Sequence, residues 1–168
     1  MNNKRKILFV LWSLSAGGAE RSLINLLWEL DYGYYDVELF LFEREGEFLN
    51  QLPEQIRLIE TPKMVKFLST GSFREMMNNF SLRGFFYRML YKLFYEKKAK
   101  SSYNKDQLLW DKVWKKSLES LKGEYDIAAG YLQGIPNYFV IDKVTAERKL
   151  LWIHTDYSKI NGDIDFDY

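Results

Sequence analysis

The chain has 168 residues, of which 47% are hydrophobic and 28% charged, and this composition fits one globular domain. It excludes a disordered tail, a collagen-like repeat and a disulfide scaffold, and the absence of cysteine with only one histidine excludes thiolate and multi-histidine metal sites. The 24 basic and 23 acidic residues give a net charge of +1, which argues against a uniformly basic nucleic-acid-binding protein. No apolar run approaches the ~20 residues of a membrane-spanning helix.

The positive charge is concentrated in the middle of the chain. Residues 64–105 carry 9 basic and 2 acidic side chains, whereas 1–63 and 106–168 each have a net charge of −3. This distribution is compatible with a local basic face toward phosphate or toward an anionic membrane.

An apolar run at residues 7–12 follows three basic residues, Lys4, Arg5 and Lys6. It has two interpretations, a signal peptide or a fully buried parallel strand, because both are short and continuously apolar. We favour the strand, since Gly17-Gly18 and an amphipathic helix over about 19–30 follow it, as a β-α-β unit requires.

The remaining elements continue this alternation of strands and helices. A largely helical insertion is predicted at about 64–123, and it includes an amphipathic helix at 82–95 and a helix at about 106–122 that Gly123 ends. Further strands are predicted at 37–42, 56–60, 125–132 and 150–154, and a helix that Pro136 opens at 136–146. The order predicts a single α/β domain over residues 1–168, Rossmann-like and three-layered, with a parallel sheet in the order 3-2-1-4-5.

Ligands of such sheets bind beyond the carboxyl ends of the strands, where three segments of this chain are expected to meet. Gly17 and Gly18 would let backbone amides approach a phosphate at a helix N-terminus, or would form a tight turn without a ligand. Gln133 and Gly134 are predicted to bind substrate or phosphate. His154, at the predicted end of the fifth strand, is the candidate catalytic residue, with a structural role as the alternative.

Two acidic features give weaker indications of a ligand site. Glu43 follows the second strand, where a dinucleotide site places an acidic residue, but the G-x-G-x-x-G and P-loop motifs are missing. Asp163 and Asp165 form a D-x-D pair like that of some metal-dependent sugar transferases, yet they lie in an acidic terminal segment. We therefore predict no metal site and no bound cofactor.

The basic, aromatic segment 82–105 has three interpretations. In the first, it is a helix whose apolar face packs on the sheet and whose basic face is solvated. In the second, it is an amphipathic helix that lies on an anionic membrane, and in the third, its aromatic side chains stack on the bases of single-stranded nucleic acid. No RNA-binding signature accompanies it, so no nucleic acid partner is predicted. The membrane-facing candidates are Arg83, Arg88, Lys92, Lys97 and Lys98.

Several of these segments together resemble a family. Lys6-Ile7-Leu8-Phe9-Val10 followed by Ser15-Ala16-Gly17-Gly18-Ala19-Glu20-Arg21 is similar to the opening of retaining GT-B glycosyltransferases, in particular the N-terminal domain of glycosyltransferase family 4 (group 1). Tyr125-Asp126-Ile127 and Trp152-Ile153-His154 fit the same pattern, so the resemblance covers essentially the whole chain.

The resemblance implies an acceptor-side domain of an enzyme that transfers a sugar from a nucleotide sugar to a glycan or lipid-linked acceptor with retention. It implies that Gly17-Gly18 lines the cleft near the donor diphosphate, that His154 contacts sugar or acceptor, and that a C-terminal domain, expected beyond residue 168, binds the donor. We expect this domain alone to be inactive. The family and the basic helix together suggest a cytoplasmic location, with peripheral contact at the inner membrane in polysaccharide or lipopolysaccharide assembly. Rival functions are a stand-alone nucleotide-binding module and a non-catalytic membrane-surface or interaction domain.

Overall fold

A computed structural model describes residues 4–69, 82–95 and 102–156, and within these residues five parallel strands form one sheet. The strand order is β3-β2-β1-β4-β5, which confirms the predicted Rossmann-like α/β architecture. The strands are β1 (Arg5–Leu11), β2 (Tyr35–Leu41), β3 (Arg57–Leu58), β4 (Glu124–Gly130) and β5 (Thr145–Leu151).

The apolar run near the N-terminus forms β1, the central strand, which pairs in parallel with β2 and β4. Its side chains alternate between two cores, because successive residues of a strand point to opposite faces. Leu8 and Val10 belong to one core, and Ile7, Phe9 and Leu11 to the other. Burial on both faces explains why this segment is continuously apolar, as the prediction of a buried strand required.

Helices cover both faces of the sheet. On one face lie α1 (Gly18–Glu29), through Leu23, Ile24 and Leu27, and the residues around a short 3-10 turn at Leu49–Gln51. The other core receives side chains from α2 (Lys63–Ser69), α3 (Leu82–Tyr95), α4 (Ser102–Leu109), the π-helical turn Trp110–Trp114 that continues α4, and α6 (Ile135–Lys143). The short helix α5 (Lys115–Ser117) follows the π-helical turn and buries Ser117.

Three predicted boundaries are wrong. The helix expected at about 106–122 already ends at Ser117, because Leu118 turns into extended backbone and buries its side chain, and Gly123 precedes β4 instead of capping that helix. The helix expected at 136–146 ends at Lys143, and β5 begins at Thr145 rather than at 150. The charged residues at the centre of β5 hide this strand from a hydrophobic pattern, since an edge strand tolerates them.

The orientation of α3 differs from the expectation that its apolar face packs on the sheet. Its inner side packs against the core through Tyr87, Leu90, Tyr91 and Phe94. The outer side carries five large apolar side chains with high exposed fractions, namely Leu82 80%, Phe85 51%, Phe86 51%, Met89 47% and Leu93 55%.

Arg88 lies on the inner side of α3. Its guanidinium donates hydrogen bonds to the carbonyls of Phe67 (3.0 Å) and Leu68 (2.5 Å) in the last turn of α2. A basic side chain at a helix C-terminus satisfies carbonyls that have no partner within the helix. Arg88 therefore joins two helices and does not form part of an outward basic face, which corrects its assignment as membrane-facing.

Candidate functional site

The loops after β1 and β2 are joined at the carboxyl edge of the sheet. The backbone N–H of Leu14 donates to Glu45 O (2.9 Å), and the N–H of Phe48 donates to Leu14 O (3.0 Å). Gly46 has a φ of 118°, and a Cβ at this position would overlap the backbone of Leu14. Only glycine combines this backbone conformation with such a close approach, so Gly46 fixes the loop that leads to Gly17 and Gly18.

Gly17 and Gly18 open α1, as predicted, with Gly17 as the N-cap. The Glu20 carboxyl folds back over Gly17, where it would overlap a Cβ, whereas a Cβ on Gly18 would meet no atom within 4 Å. A carboxylate in the first turn complements the partial positive charge of the helix N-terminus. A phosphate at Gly17 would displace the Glu20 side chain, while the backbone of Gly18 is open to a ligand.

The ends of β4 and β5 bring two predicted residues together. The backbone N–H of His154 donates to Gln133 Oε1 (3.2 Å), although β5 ends at Leu151, so His154 lies in the segment after the strand rather than in it. Tyr131 completes the group, because its ring centroid lies 4.4 Å from that of Trp152 and 5.2 Å from that of His154.

The hydroxyl of Tyr131 also connects this group to α1. It lies 3.0 Å from Ser22 Oγ, in the second turn of that helix, and the Tyr131 ring rests against Phe9 of β1. Gln133, His154 and the start of α1 therefore border one region, which we call the edge site (Gly18, Ser22, Tyr131, Gln133, Trp152 and His154). Tyr131 and Ser22 were missed from the sequence, although a residue directly after β4 is marked by its position at the carboxyl edge.

The segment after β5 is fixed by a buried amide. Asn137, in the first turn of α6, donates from Nδ2 to Trp152 O (3.2 Å), and the Trp152 N–H donates to Gly130 O (2.8 Å). Gly130 leaves room for Asn137, since a Cβ there would overlap the amide oxygen. These contacts determine where the chain passes from β5 toward His154.

Gly134 has a packing partner that the sequence did not indicate. It adopts a φ of 85° as the N-cap of α6, and the Asp106 carboxyl lies 2.6 Å from where a Cβ of Gly134 would be. Burial raises the pKa of Asp106 to about 6, and the nearby Lys105 opposes this shift. Asp106 belongs to the helical insertion, distant in sequence, so no local pattern places it beside Gly134.

A second carboxyl group with a raised pKa follows β2. Burial raises the pKa of Glu43, a hydrogen bond with the Trp12 side chain opposes this, and the neighbouring Glu45 adds to it. The pKa of Tyr91 on α3 is raised mainly by burial, and the charges of both Glu43 and Asp106 contribute. The insertion thus places Tyr91 within electrostatic reach of both carboxyl groups.

Most of the other predicted residues lie outside the described part of the chain. Lys92 is exposed on α3, the side chain of Arg83 lies outside the described part, and so do Lys97, Lys98 and the acidic pair Asp163 and Asp165. Among residues 4–69, 82–95 and 102–156, no group of three or more His, Asp or Glu side chains is arranged to bind a metal ion. Within the same ranges, no helix is both long and apolar enough to span a bilayer.

Comparisons with known proteins assign no family to the chain. It matches no family model, and a search of curated proteins finds no match.

Proposed function

We propose that this chain is the acceptor-side domain of a retaining glycosyltransferase with two Rossmann-like domains, and that it binds a glycan or lipid-linked acceptor. In this proposal a second domain of the same protein holds most of the nucleotide-sugar donor. The fold and the Gly17-Gly18-Ala19-Glu20-Arg21 sequence at the start of α1 are compatible with this arrangement.

The observation that carries the proposal is the composition of the edge site. Tyr131 and Trp152 supply aromatic surface, while Gln133 and His154 supply groups that exchange hydrogen bonds with hydroxyls. A sugar combines hydroxyl groups with apolar ring faces, so it needs both kinds of side chain at one place. His154 is exposed there, where it can contact the acceptor or the transferred sugar.

The distribution of acidic groups favours a hydroxyl-bearing ligand over a free nucleotide. Glu20 lies at the N-terminus of α1 and Asp106 at the N-terminus of α6, so two of the helix ends at the carboxyl edge carry a carboxyl group of this chain. A phosphate at either end would meet like charge when that group is ionised, whereas sugar hydroxyls donate to carboxylates. This argues against the rival function of a stand-alone nucleotide-binding module.

The test measures sugar transfer by the complete protein of which this chain forms a domain. The assay uses a panel of nucleotide sugars as donors and of glycans or lipid-linked glycans as acceptors. Replacing His154 with Ala is expected to lower kcat/KM about 100-fold or more, because a positioned polar group at the reacting centre contributes on that scale. Product configuration, read by NMR, is expected to be retained. The matched control is Arg148→Ala on the exposed strand β5, which should leave kcat/KM unchanged.

Two results would contradict the proposal. Near-normal turnover of the His154→Ala variant would make His154 a structural residue. Micromolar binding of a free nucleotide by the 168-residue chain, without transfer in the complete protein, would instead favour the nucleotide-binding module.

A further inference from the structure

The outer side of α3 presents a continuous apolar surface. We call it the apolar stripe (Leu82, Phe85, Phe86, Met89 and Leu93), and each of its side chains is roughly half exposed or more. At ~200 Å² for a large side chain, the exposed part amounts to roughly 570 Å². That is near the upper limit for a contiguous apolar patch on a monomeric protein, and patches of this size mark interaction surfaces.

The core does not need this stripe, because α3 is already anchored by its other side. Tyr87, Leu90, Tyr91 and Phe94 pack on the sheet-facing core, and Arg88 caps α2. Turning the stripe inward would expose those aromatic rings and break both Arg88 hydrogen bonds. The outward position of the stripe is therefore a consequence of the packing that stabilises α3.

The charge around the stripe points to its partner. Apart from Arg88, which faces inward, the sequence of segment 82–105 contains six basic residues and one acidic residue, and Lys92 is exposed on α3 itself. An exposed apolar helix face within a segment of basic sequence is typical of helices that lie in the interface of an anionic bilayer. A second copy of this chain would bring two positively charged segments together, which electrostatic repulsion disfavours.

We propose that the apolar stripe inserts into the surface of an anionic lipid bilayer, with α3 lying in the membrane plane and Lys92 contacting lipid headgroups. The inserting face is the apolar one, so Arg88 takes no part in membrane binding. This inference stands on the exposure of α3 and does not rest on the glycosyltransferase proposal.

The test is sedimentation of the 168-residue chain with vesicles of equal parts phosphatidylglycerol and phosphatidylcholine, compared with phosphatidylcholine alone. The wild type should partition at least tenfold more strongly into the anionic vesicles. The Phe86→Gln/Met89→Gln double variant should lose at least tenfold of that partitioning. Leu82→Gln, at the most exposed position of the stripe, should weaken it in the same direction. The matched control is Tyr34→Gln, since Tyr34 is exposed in the turn before β2, far along the chain from α3.

Circular dichroism establishes that each variant is folded before binding is compared. Failure of the wild type to pellet with anionic vesicles would overturn the proposal, and so would equal pelleting of the double variant. A concentration-dependent dimer in sedimentation equilibrium that the double variant abolishes would assign the stripe to a second copy of the chain instead.

Discussion

At the scale of single residues, two carboxyl groups that are removed from water differ in how far other side chains compensate for the loss of hydration. Glu38 on β2 is buried and ionically paired with Arg57, and it accepts a hydrogen bond from the Tyr125 hydroxyl (2.5 Å). Those partners compensate for the loss of water. Asp106 is partly buried against Gly134, and within the described residues the charge of Lys105 opposes the effect of burial. Its ionisation therefore opposes folding.

The sign of this effect predicts a pH dependence for Asp106. Its pKa is raised from the ordinary 3.8 to about 6, so between about pH 4 and 6 the folded chain holds a proton that the unfolded chain has released. Wild-type stability should fall as the pH rises through this window. Asp106→Asn should remove that fall and raise the free energy of unfolding at pH 7 by about 1–3 kcal/mol. Urea denaturation of the wild type and of Asp106→Asn at pH values between 4 and 8 measures this difference in the free energy of unfolding.

Asp111 supplies the matched control for Asp106. It lies nearby in the chain, and its pKa is lowered by a hydrogen bond with Lys112. Asp111→Asn should therefore give no gain in stability at pH 7. If both substitutions changed stability alike at pH 7, burial of Asp106 would not be the cause of its pH dependence.

At the scale of elements, α3 packs against the rest of the domain through a side that its amphipathic sequence pattern does not predict. Its period of 3.6 residues identifies a helix, yet the side rich in tyrosine, together with Arg88, faces inward. Tyrosine rings and the arginine stem bury apolar surface while their polar ends find partners. An arginine that caps a neighbouring helix can therefore be mistaken for a surface charge.

Because Arg88 caps α2, substitution of Arg88 and substitution of Lys92 on α3 should change the free energy of unfolding by different amounts. Arg88→Met nearly keeps the length of the side chain but removes its two hydrogen bonds to the carbonyls of Phe67 and Leu68, so we expect a loss of about 1–3 kcal/mol in the free energy of unfolding. Lys92→Met, on the exposed part of the same helix, should change it by less than about 0.5 kcal/mol. Urea unfolding at constant pH compares them, and equal losses would exclude a capping role.

At the scale of the whole molecule, the sheet is protected at both of its edges in the described part of the chain. The β3 edge has only two residues, Arg57 and Leu58. The β5 edge is long and exposed, but charged side chains occupy its centre, namely Glu147, Arg148 and Lys149. Short and charged edges reduce pairing with strands of other molecules.

This arrangement predicts an aggregation phenotype. Replacing Glu147, Arg148 and Lys149 together with Thr should raise light scattering at 37 °C several-fold, because threonine favours strand pairing and removes the charges. Lys122→Thr, in an exposed loop, changes the net charge by the same amount and should not raise the scattering. Aggregation of both variants to the same extent would assign the effect to net charge rather than to the edge.

The sequence alone determined the fold class and most of the strands. Continuous apolar runs such as 7–12 can be read locally, because a strand buried on both faces needs an apolar side chain at every position. The same reasoning placed Gln133 and His154 at one edge, since parallel strands end together.

Only the tertiary structure decided which side of α3 faces the core, where Asp106 lies and how Tyr131 joins α1 to the end of β4. Each of these depends on contacts between residues far apart in the chain. Such contacts leave no periodic pattern, because the partner of a side chain is set by packing and not by the residues beside it.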